Sequence, residues 1–131
     1  MIDKMIKAIQ EEEFSPFFKL MAEVECGKHF DFKNQNHIDW LKKRISICFF
    51  QGTKFFGYYS KENLPIGFAG ILINDGPEGV TCFGQNCELL NIAVDPGYRG
   101  KGIGSILLKY VEEYAKKSGV YCMYMSTYAR D

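Results

Sequence analysis

The most informative part of the sequence is a glycine-rich turn between an apolar run and an amphipathic run. It occupies residues 94–105 and reads Val94-Asp95-Pro96-Gly97-Tyr98-Arg99-Gly100-Lys101-Gly102-Ile103-Gly104-Ser105. The apolar run before it predicts a strand, and the run after it predicts a helix. The first N–H groups of a helix lack partners within the helix and lie at the positive end of its dipole. The turn therefore predicts a phosphate-binding site, and a phosphate-bearing cofactor is the first hypothesis.

The spacing of the glycines does not fit two familiar phosphate-binding motifs. A P-loop requires Ser or Thr after its lysine, whereas Gly102 follows Lys101 here. The dinucleotide fingerprint requires G-x-G-x-x-G, and the series Gly100-x-Gly102-x-Gly104 is one residue short of it. These glycines could also serve only a tight turn and close packing. Packing alone explains them poorly, because glycine at the start of a helix lowers stability relative to alanine.

Length and charge limit the class of protein. A chain of 131 residues, of which 47% are hydrophobic, can bury one core, so residues 1–131 are read as a single domain. The 16 Lys and Arg residues balance 16 Asp and Glu residues, which argues against a nucleic-acid partner. No apolar run reaches the roughly 20 residues that span a bilayer, and the N-terminus lacks a signal-peptide pattern. We expect a cytoplasmic protein without a membrane partner.

The cysteines and histidines form no recognisable metal or nucleophile motif. The chain has 5 cysteines, an odd number without a C-x-x-C pair, as is typical of a reducing compartment. His29 and His37 have no cysteine or carboxylate neighbour at ligand spacing, so no metal site is predicted. No activating base accompanies any cysteine, and we predict no nucleophilic thiol.

The N-terminal part of the chain has the periodicity of helices. Met5, Ile6 and Ile9 recur at helical spacing, and Ser15-Pro16 interrupts the pattern before it resumes. The predicted helices are residues 3–12, residues 17–25 and residues 38–48, with residues 27–36 as a loop.

The middle of the chain changes to strand-like segments. An aromatic-rich segment at residues 54–59 and an apolar segment at residues 66–73 predict an antiparallel hairpin. Residues 74–79 predict a second turn, and residues 80–83 a short extended stretch. The near-continuous apolar character of residues 87–94 predicts a central strand that is covered on both faces.

The C-terminal part predicts a helix and one more strand. The apolar stripe of this helix consists of Ile103, Ile106, Leu107, Tyr110, Val111 and Tyr114. Ser118-Gly119 predicts its end, and residues 120–128 predict the strand. A strand, a helix and a strand at this spacing predict a βαβ crossover with parallel pairing. The expected fold class is therefore α/β, a mixed sheet with N-terminal helices, an antiparallel hairpin and a βαβ crossover.

The segment Arg99-Gly100-Lys101-Gly102-Ile103-Gly104 resembles R/Q-x-x-G-x-G/A, the acyl-CoA signature of the GNAT superfamily of N-acetyltransferases. The surroundings match as well, with an apolar strand, an Asp-Pro turn and an amphipathic helix. The resemblance implies acetyl-CoA as cosubstrate, with backbone N–H groups around its pyrophosphate and the end of the strand along its pantetheine arm. The cofactor-binding residues that it implies are Ile92, Ala93, Val94, Arg99, Gly100, Lys101, Gly102, Ile103 and Gly104.

Glu88 is the candidate general base. It lies six residues before Val94 on the same predicted strand, where several GNAT enzymes place a catalytic glutamate. Strict alternation along the strand predicts that its side chain shares a face with Leu90, Ile92 and Val94. A solvated residue at a strand end is the alternative. No general acid is assigned, because Tyr124 and Tyr128 do not match the position of the family's tyrosine.

One departure from the family is expected at the C-terminus. GNAT domains usually continue into another helix and two strands, whereas this chain stops at Asp131. The domain would then lack these elements and expose an apolar sheet edge, which a partner or a second copy in a homodimer would cover.

Two functions follow from the sequence. The first is an N-acetyltransferase that moves an acetyl group from acetyl-CoA to a primary amine of a small molecule or peptide. The alternative is a non-catalytic acyl-CoA-binding module or one part of a larger assembly. The acceptor itself is not specified by the sequence.

Overall fold

The computed structural model describes residues 5–74, 80–81 and 84–125. Within these ranges the chain forms six strands and three α-helices. In chain order they are β1 (Ile6–Ile9), α1 (Phe18–Cys26), α2 (Gln35–Phe50), β2 (Lys54–Tyr59), β3 (Pro65–Ile73), β4 (Val80–Thr81), β5 (Gly84–Val94), α3 (Ile103–Lys117) and β6 (Val120–Tyr124). None of the helices in the described ranges is long and apolar enough to cross a membrane.

All of these strands belong to one mixed sheet. Its order is β1-β2-β3-β5-β4, and β6 pairs with β5. The β5–β6 pair is parallel and is joined through α3, while the other pairs are antiparallel. The predicted hairpin of β2 and β3, the inner position of β5 and the βαβ unit are therefore confirmed. The α/β fold class is confirmed with them.

The sheet separates two apolar clusters. One lies under α3 and includes Leu107 and Val111 of the helix, together with Cys87 and Leu89 of β5. The other lies under α1 and α2 and is rich in aromatic side chains, among them Phe14, Phe17, Phe55 and Phe68. We call these two sides the α3 face and the α1–α2 face.

The helices predicted at residues 17–25, at residues 38–48 and after Gly102 are confirmed. In α3 the buried residues are Ile103, Leu107, Val111 and Ala115. The other three residues of the predicted stripe, Ile106, Tyr110 and Tyr114, are partly buried against the same cluster. Gly119 has a φ of 86°, a left-handed conformation that suits glycine and ends the helix. Asn34 caps α2 by accepting hydrogen bonds from the N–H groups of Asn36 and His37.

The prediction of a helix over residues 3–12 is wrong. Ile6–Ile9 form β1, which pairs with β2 in antiparallel register, and Glu11–Glu13 form a 3₁₀ turn. Ile6 packs on the α3 face and Ile9 on the α1–α2 face. Residues three apart lie on opposite faces of a strand but on one face of a helix, and pairing with β2 selects the strand.

Four predicted features extend beyond the described residues, and the first is the helix predicted at residues 3–12, of which residues 3–4 lie outside them. Residues 75–79 of the turn predicted at 74–79 lie outside them. Only Val80–Thr81 of the predicted stretch 80–83 are described, and they form β4. The last strand is confirmed over Val120–Tyr124, while its predicted end at residues 126–128 falls outside the description.

A β-bulge at Leu90 changes which face Glu88 occupies. Ile71 of β3 pairs with Leu89 and the adjacent Gly70 pairs with Asn91, so Leu90 is the extra residue of β5. Before the bulge, Cys87 and Leu89 pack on the α3 face; after it, Ile92 and Val94 do. Glu88, between Cys87 and Leu89, therefore lies on the α1–α2 face with Ala93. The prediction that Glu88 shares a face with Ile92 and Val94 is wrong.

Candidate functional site

A cleft of about 580 Å³ lies where the end of β5, the following turn and the start of α3 face α1. Its lining residues are Glu23, Val24, Ile92, Ala93, Val94, Tyr98, Arg99, Gly100, Gly102, Ile103, Gly104, Ser105 and Leu108. All of the predicted cofactor-binding residues except Lys101 are among them. The structure thus brings the strand end and the glycine-rich turn into one concave surface.

The turn is held in shape by local hydrogen bonds. The Asp95 side chain accepts a hydrogen bond of 2.9 Å from the N–H of Gly97, and the Asp95 N–H donates to the Ile66 carbonyl of β3 at 2.8 Å. Gly100 has a φ of 80° and Gly102 a φ of 81°, in the left-handed region that L side chains rarely adopt. A Cβ added at either position would meet no atom within 4 Å. Backbone conformation, and not crowding, explains these two glycines.

The start of α3 presents backbone donors to the cleft. Its first helical hydrogen bond runs from the Ile106 N–H to the Gly102 carbonyl at 3.0 Å, so the N–H groups of Ile103, Gly104 and Ser105 precede that bond. A Cβ at Gly104 would lie 3.8 Å from Val94 Cγ2, an ordinary contact. Packing within the protein therefore does not require glycine at 104. The exposed backbone suits the close approach of an anion.

The end of β5 has one free side. Its pairing with β6 covers Gln85 to Glu88, so in the described part of the chain β6 leaves Leu89–Val94 without a partner on that edge. Successive residues of a strand direct their backbone N–H and C=O groups to opposite edges. The Asp95 N–H donates a hydrogen bond to β3, so the backbone groups of Ala93, two residues earlier, also face β3. The polar backbone groups of Ile92 and Val94 therefore face the cleft. The backbone of Ala93 is directed away from it.

Arg99 links the turn to both walls of the cleft. Its Nε donates a hydrogen bond of 3.0 Å to the Val94 carbonyl, and its guanidinium lies 4.0 Å from the Glu23 carboxylate of α1. The first contact closes the turn. The second brings a carboxylate to the cleft that the sequence did not reveal, because the position of α1 depends on packing far along the chain.

Lys101 does not line the cleft. Its Nζ lies 5.3 Å from the centre of the Tyr98 ring, a cation–π contact with a residue that does line it. The amine therefore stays near the rim of the cleft and adds positive charge there.

Glu88 lies at the point where β5 and β6 separate. It is half-buried and pairs with Tyr124, the last residue pair of the two strands. Its side chain is not part of the cleft wall but lies on the α1–α2 face, further along β5. Burial raises the pKa of the neighbouring Cys87 thiol to about 11, and the negative charge of Glu88 makes a smaller contribution in the same direction. Cys87 therefore stays protonated near neutral pH.

No metal site is visible in residues 5–74, 80–81 and 84–125. Within them no three His, Cys, Asp or Glu side chains are grouped so that they could hold an ion.

Comparison with known proteins agrees with this geometry. The sequence pattern of the Acetyltransferase (GNAT) family matches residues 6–131. A search of curated proteins gives no match. A candidate acetyl transferase from Pyrococcus furiosus has a similar structure, with a TM-score of 0.75 and 22% identity over 96% of this chain and 85% of that one.

Two further solved structures are aminoglycoside N-acetyltransferases. The 6'-N-acetyltransferase AAC(6')-Ih from Acinetobacter baumannii has a TM-score of 0.68 and 20% identity over 96% of this chain and 80% of that one. AAC(6')-Iy, solved in complex with CoA, has a TM-score of 0.71 and 17% identity over 94% of this chain and 76% of that one. At these identities the likeness concerns the fold. Together with the family match over residues 6–131, it confirms the resemblance seen in the glycine-rich turn: the chain belongs to the GNAT family of acetyltransferases.

Proposed function

We propose that the protein is an acetyl-CoA-dependent N-acetyltransferase that acts on a primary amine of a small molecule or peptide. The observation that carries the proposal is the continuity of the site. One cleft joins unpaired backbone donors at the start of α3 to the free edge of β5, and that edge leads to Glu88. A phosphate-bearing thioester and an amine would thus meet where β5 and β6 separate.

The cleft suits the phosphate end of acetyl-CoA. The N–H groups at residues 103–105 would donate to the pyrophosphate, and the missing side chains at Gly102 and Gly104 would let it approach the backbone. Arg99 and Lys101 add positive charge at the rim. Acetyl-CoA would supply the acetyl group as a thioester. The chain's own residues would bind and orient this thioester and accept the proton of the amine.

The free edge of β5 suits the pantetheine arm. Ile92 and Val94 direct backbone N–H and C=O groups towards the cleft, so they can pair with an extended amide chain as a neighbouring strand would. The Val94 carbonyl already accepts a hydrogen bond from Arg99. The N–H groups of this edge remain available as donors to a ligand. A strand N–H next to the thioester carbonyl would stabilise the negative charge that develops on its oxygen during attack.

Glu88 is proposed as the general base. An ammonium group must lose a proton before its nitrogen can attack, and a carboxylate beside the path of attack can accept that proton. The amide C–N bond forms as the thioester C–S bond breaks, and CoA leaves as a thiolate that takes a proton from solvent. With Glu88 on the α1–α2 face, the amine would lie on the side of the sheet opposite α3. Donor and acceptor would therefore reach the reaction point from different directions.

The experiment measures CoA release with a panel of primary amines, for the wild type and for Glu88→Gln. We expect kcat to fall about 10²–10⁴-fold in the variant, because a general base typically contributes that much. Stabilisation by acetyl-CoA should remain, since Glu88 lies outside the cleft. Glu113→Gln, which removes a carboxylate from the solvent side of α3, is the matched control and should leave kcat unchanged.

The alternative function predicts a different pattern. A non-catalytic acyl-CoA-binding module would be stabilised by acetyl-CoA but would release no CoA with any amine above the rate without protein. That result would contradict the proposed transfer and favour the binding module. An unchanged kcat in Glu88→Gln would remove Glu88 from the mechanism while leaving the transfer itself in place.

A further inference from the structure

Three polar side chains form a hydrogen-bonded bridge across the end of the sheet. Asn74 follows β3, Asn86 lies on β5 and Tyr124 ends β6. The Asn74 side-chain amide donates to Asn86 Oδ1 at 2.6 Å and to the Tyr124 hydroxyl oxygen at 3.2 Å. The Asn74 N–H also donates to the Asn86 carbonyl at 3.0 Å, which continues the ladder of β3 and β5. No sequence pattern indicates this bridge, because Asn74 and Tyr124 are 50 positions apart.

The bridge lies on the same face of the sheet as Glu88. Met123 pairs with Cys87, and both pack on the α3 face. The next pair, Tyr124 and Glu88, therefore lies on the α1–α2 face, where we have placed the amine. Beyond this pair β5 and β6 have no further pairing in the described residues. Tyr124 is thus the neighbour of Glu88 across the strands at the proposed reaction point.

The hydrogen bond to Asn74 determines how Tyr124 is oriented. The backbones of β6 and β3 are two strand spacings apart, about 9–10 Å, with β5 between them. To reach Asn74, the Tyr124 ring must lie across β5, next to Glu88. Because the phenol oxygen accepts from Asn74, the hydroxyl hydrogen is left to donate elsewhere. The side chain is 41% exposed, so it is accessible to a ligand.

We propose that Tyr124 determines acceptor specificity, by donating its hydroxyl hydrogen to an oxygen of the substrate. The acceptor class is then a primary amine that carries a hydroxyl or carbonyl oxygen close to the amino group. Its amine lies at the Glu88 carboxylate and its oxygen accepts from Tyr124, while Asn74 holds the phenol in place. The inference rests on the proposed acetyl transfer and adds the chemistry of the acceptor.

The test compares two acceptors that differ by one hydroxyl, butylamine and its 2-hydroxy derivative. In the wild type we expect kcat/KM to favour the hydroxylated amine by about 3–10-fold, the worth of one neutral hydrogen bond. In Tyr124→Phe this ratio should fall by that same factor, because the phenol hydrogen that the hydroxylated amine accepts is removed. In Asn74→Ala the ratio should also fall, because the phenol loses the partner that orients it. Tyr110→Phe removes a tyrosine hydroxyl from the other face and should keep the wild-type ratio.

A purely structural role for the bridge predicts a different outcome. Loss of packing or of strand geometry would lower kcat/KM for both amines by the same factor and leave the ratio intact. That result, or a wild type without preference for the hydroxylated amine, overturns the inference and leaves the proposed function standing. A wild type that acetylates neither amine nor any other member of the panel contradicts the proposed function, and the inference with it.

Discussion

Gly102 and Gly104 lie two positions apart but are glycines for different reasons. Gly102 precedes α3 with a φ of 81°, so a side chain there would be strained whatever the surrounding space. Gly104 lies inside the helix, and a Cβ at this position would make only an ordinary contact with Val94. The fold requires the first glycine. We propose that the second allows a ligand to approach the backbone.

This difference predicts opposite effects of alanine on stability and on binding. Gly104→Ala should raise the free energy of unfolding by about 0.4–1 kcal/mol, because it restricts the unfolded chain without straining the helix. The same variant should weaken acetyl-CoA binding roughly tenfold, which corresponds to about 1.4 kcal/mol. Denaturant unfolding and calorimetric titration measure the two quantities.

Gly119→Ala is the matched control for these effects. Gly119 has a φ of 86° at the other end of α3, so alanine should cost about 1–2 kcal/mol of stability. It lies outside the cleft, and acetyl-CoA affinity should remain that of the wild type. If Gly104→Ala instead binds acetyl-CoA as tightly as the wild type, the glycine does not serve the cofactor.

The bulge in β5 is the feature that relates the cofactor cleft to Glu88. The residues of β5 up to Leu89, and again from Asn91, pair one-to-one with residues of β3. Leu90 is the extra residue between these two paired stretches. The bulge lengthens β5 between Glu88 and Ile92 and bends it at the point where β6 leaves. The spacing between proposed base and proposed cofactor edge therefore depends on one residue.

Deletion of Leu90 tests the bulge directly. The deletion should let Leu89 and Asn91 follow each other on the β3 register, so both apolar faces stay buried and the protein keeps a cooperative unfolding transition. Glu88 would shift by about 3.3 Å along the strand relative to Ile92. Since misplacement of a catalytic group by about 1 Å can cost about 10²-fold, we expect acetyl transfer to fall at least that much.

Leu90→Ala serves as control because it keeps the residue count of β5. It should retain more than half of the wild-type transfer rate, and its unfolding transition should remain cooperative. Transfer by the deletion variant at the wild-type rate would show that the bulge does not set this spacing. Failure to fold would contradict the expected register and show that the fold itself requires Leu90.

Periodicity and glycine spacing were enough to predict α3, the central strand and the turn between them. They failed at β1, where Ile6 and Ile9 fit a helix in sequence but are placed on opposite faces by pairing with β2. They also failed at Leu90, because neither Gly nor Pro marks the bulge and its position depends on the register with β3. Glu23 was missed for a similar reason, since its place in the cleft results from the packing of α1.

In the proposed reaction, the two faces of the sheet would serve different substrates. α3 covers one face and supplies the helix N-terminus of the cleft, while α1 and α2 cover the face that carries Glu88 and Tyr124. β5 lies in the sheet between these layers, and its backbone runs from Glu88 to the cleft. The outer edge of β6 pairs with no strand in the described residues, and its cover by a second copy stays a prediction.

Acetyl transfer by this protein requires that the glycine-rich turn bind acetyl-CoA, and thermal unfolding in the presence of this ligand measures that binding. Acetyl-pantetheine, which lacks the pyrophosphate, is the matched ligand control. A ligand that binds only the folded state stabilises it by about 2.7 kcal/mol at a hundredfold excess over Kd. We predict a saturable rise in Tm with acetyl-CoA, a smaller rise with acetyl-pantetheine and a weaker response in Gly104→Ala. No rise in Tm at millimolar acetyl-CoA would contradict the account.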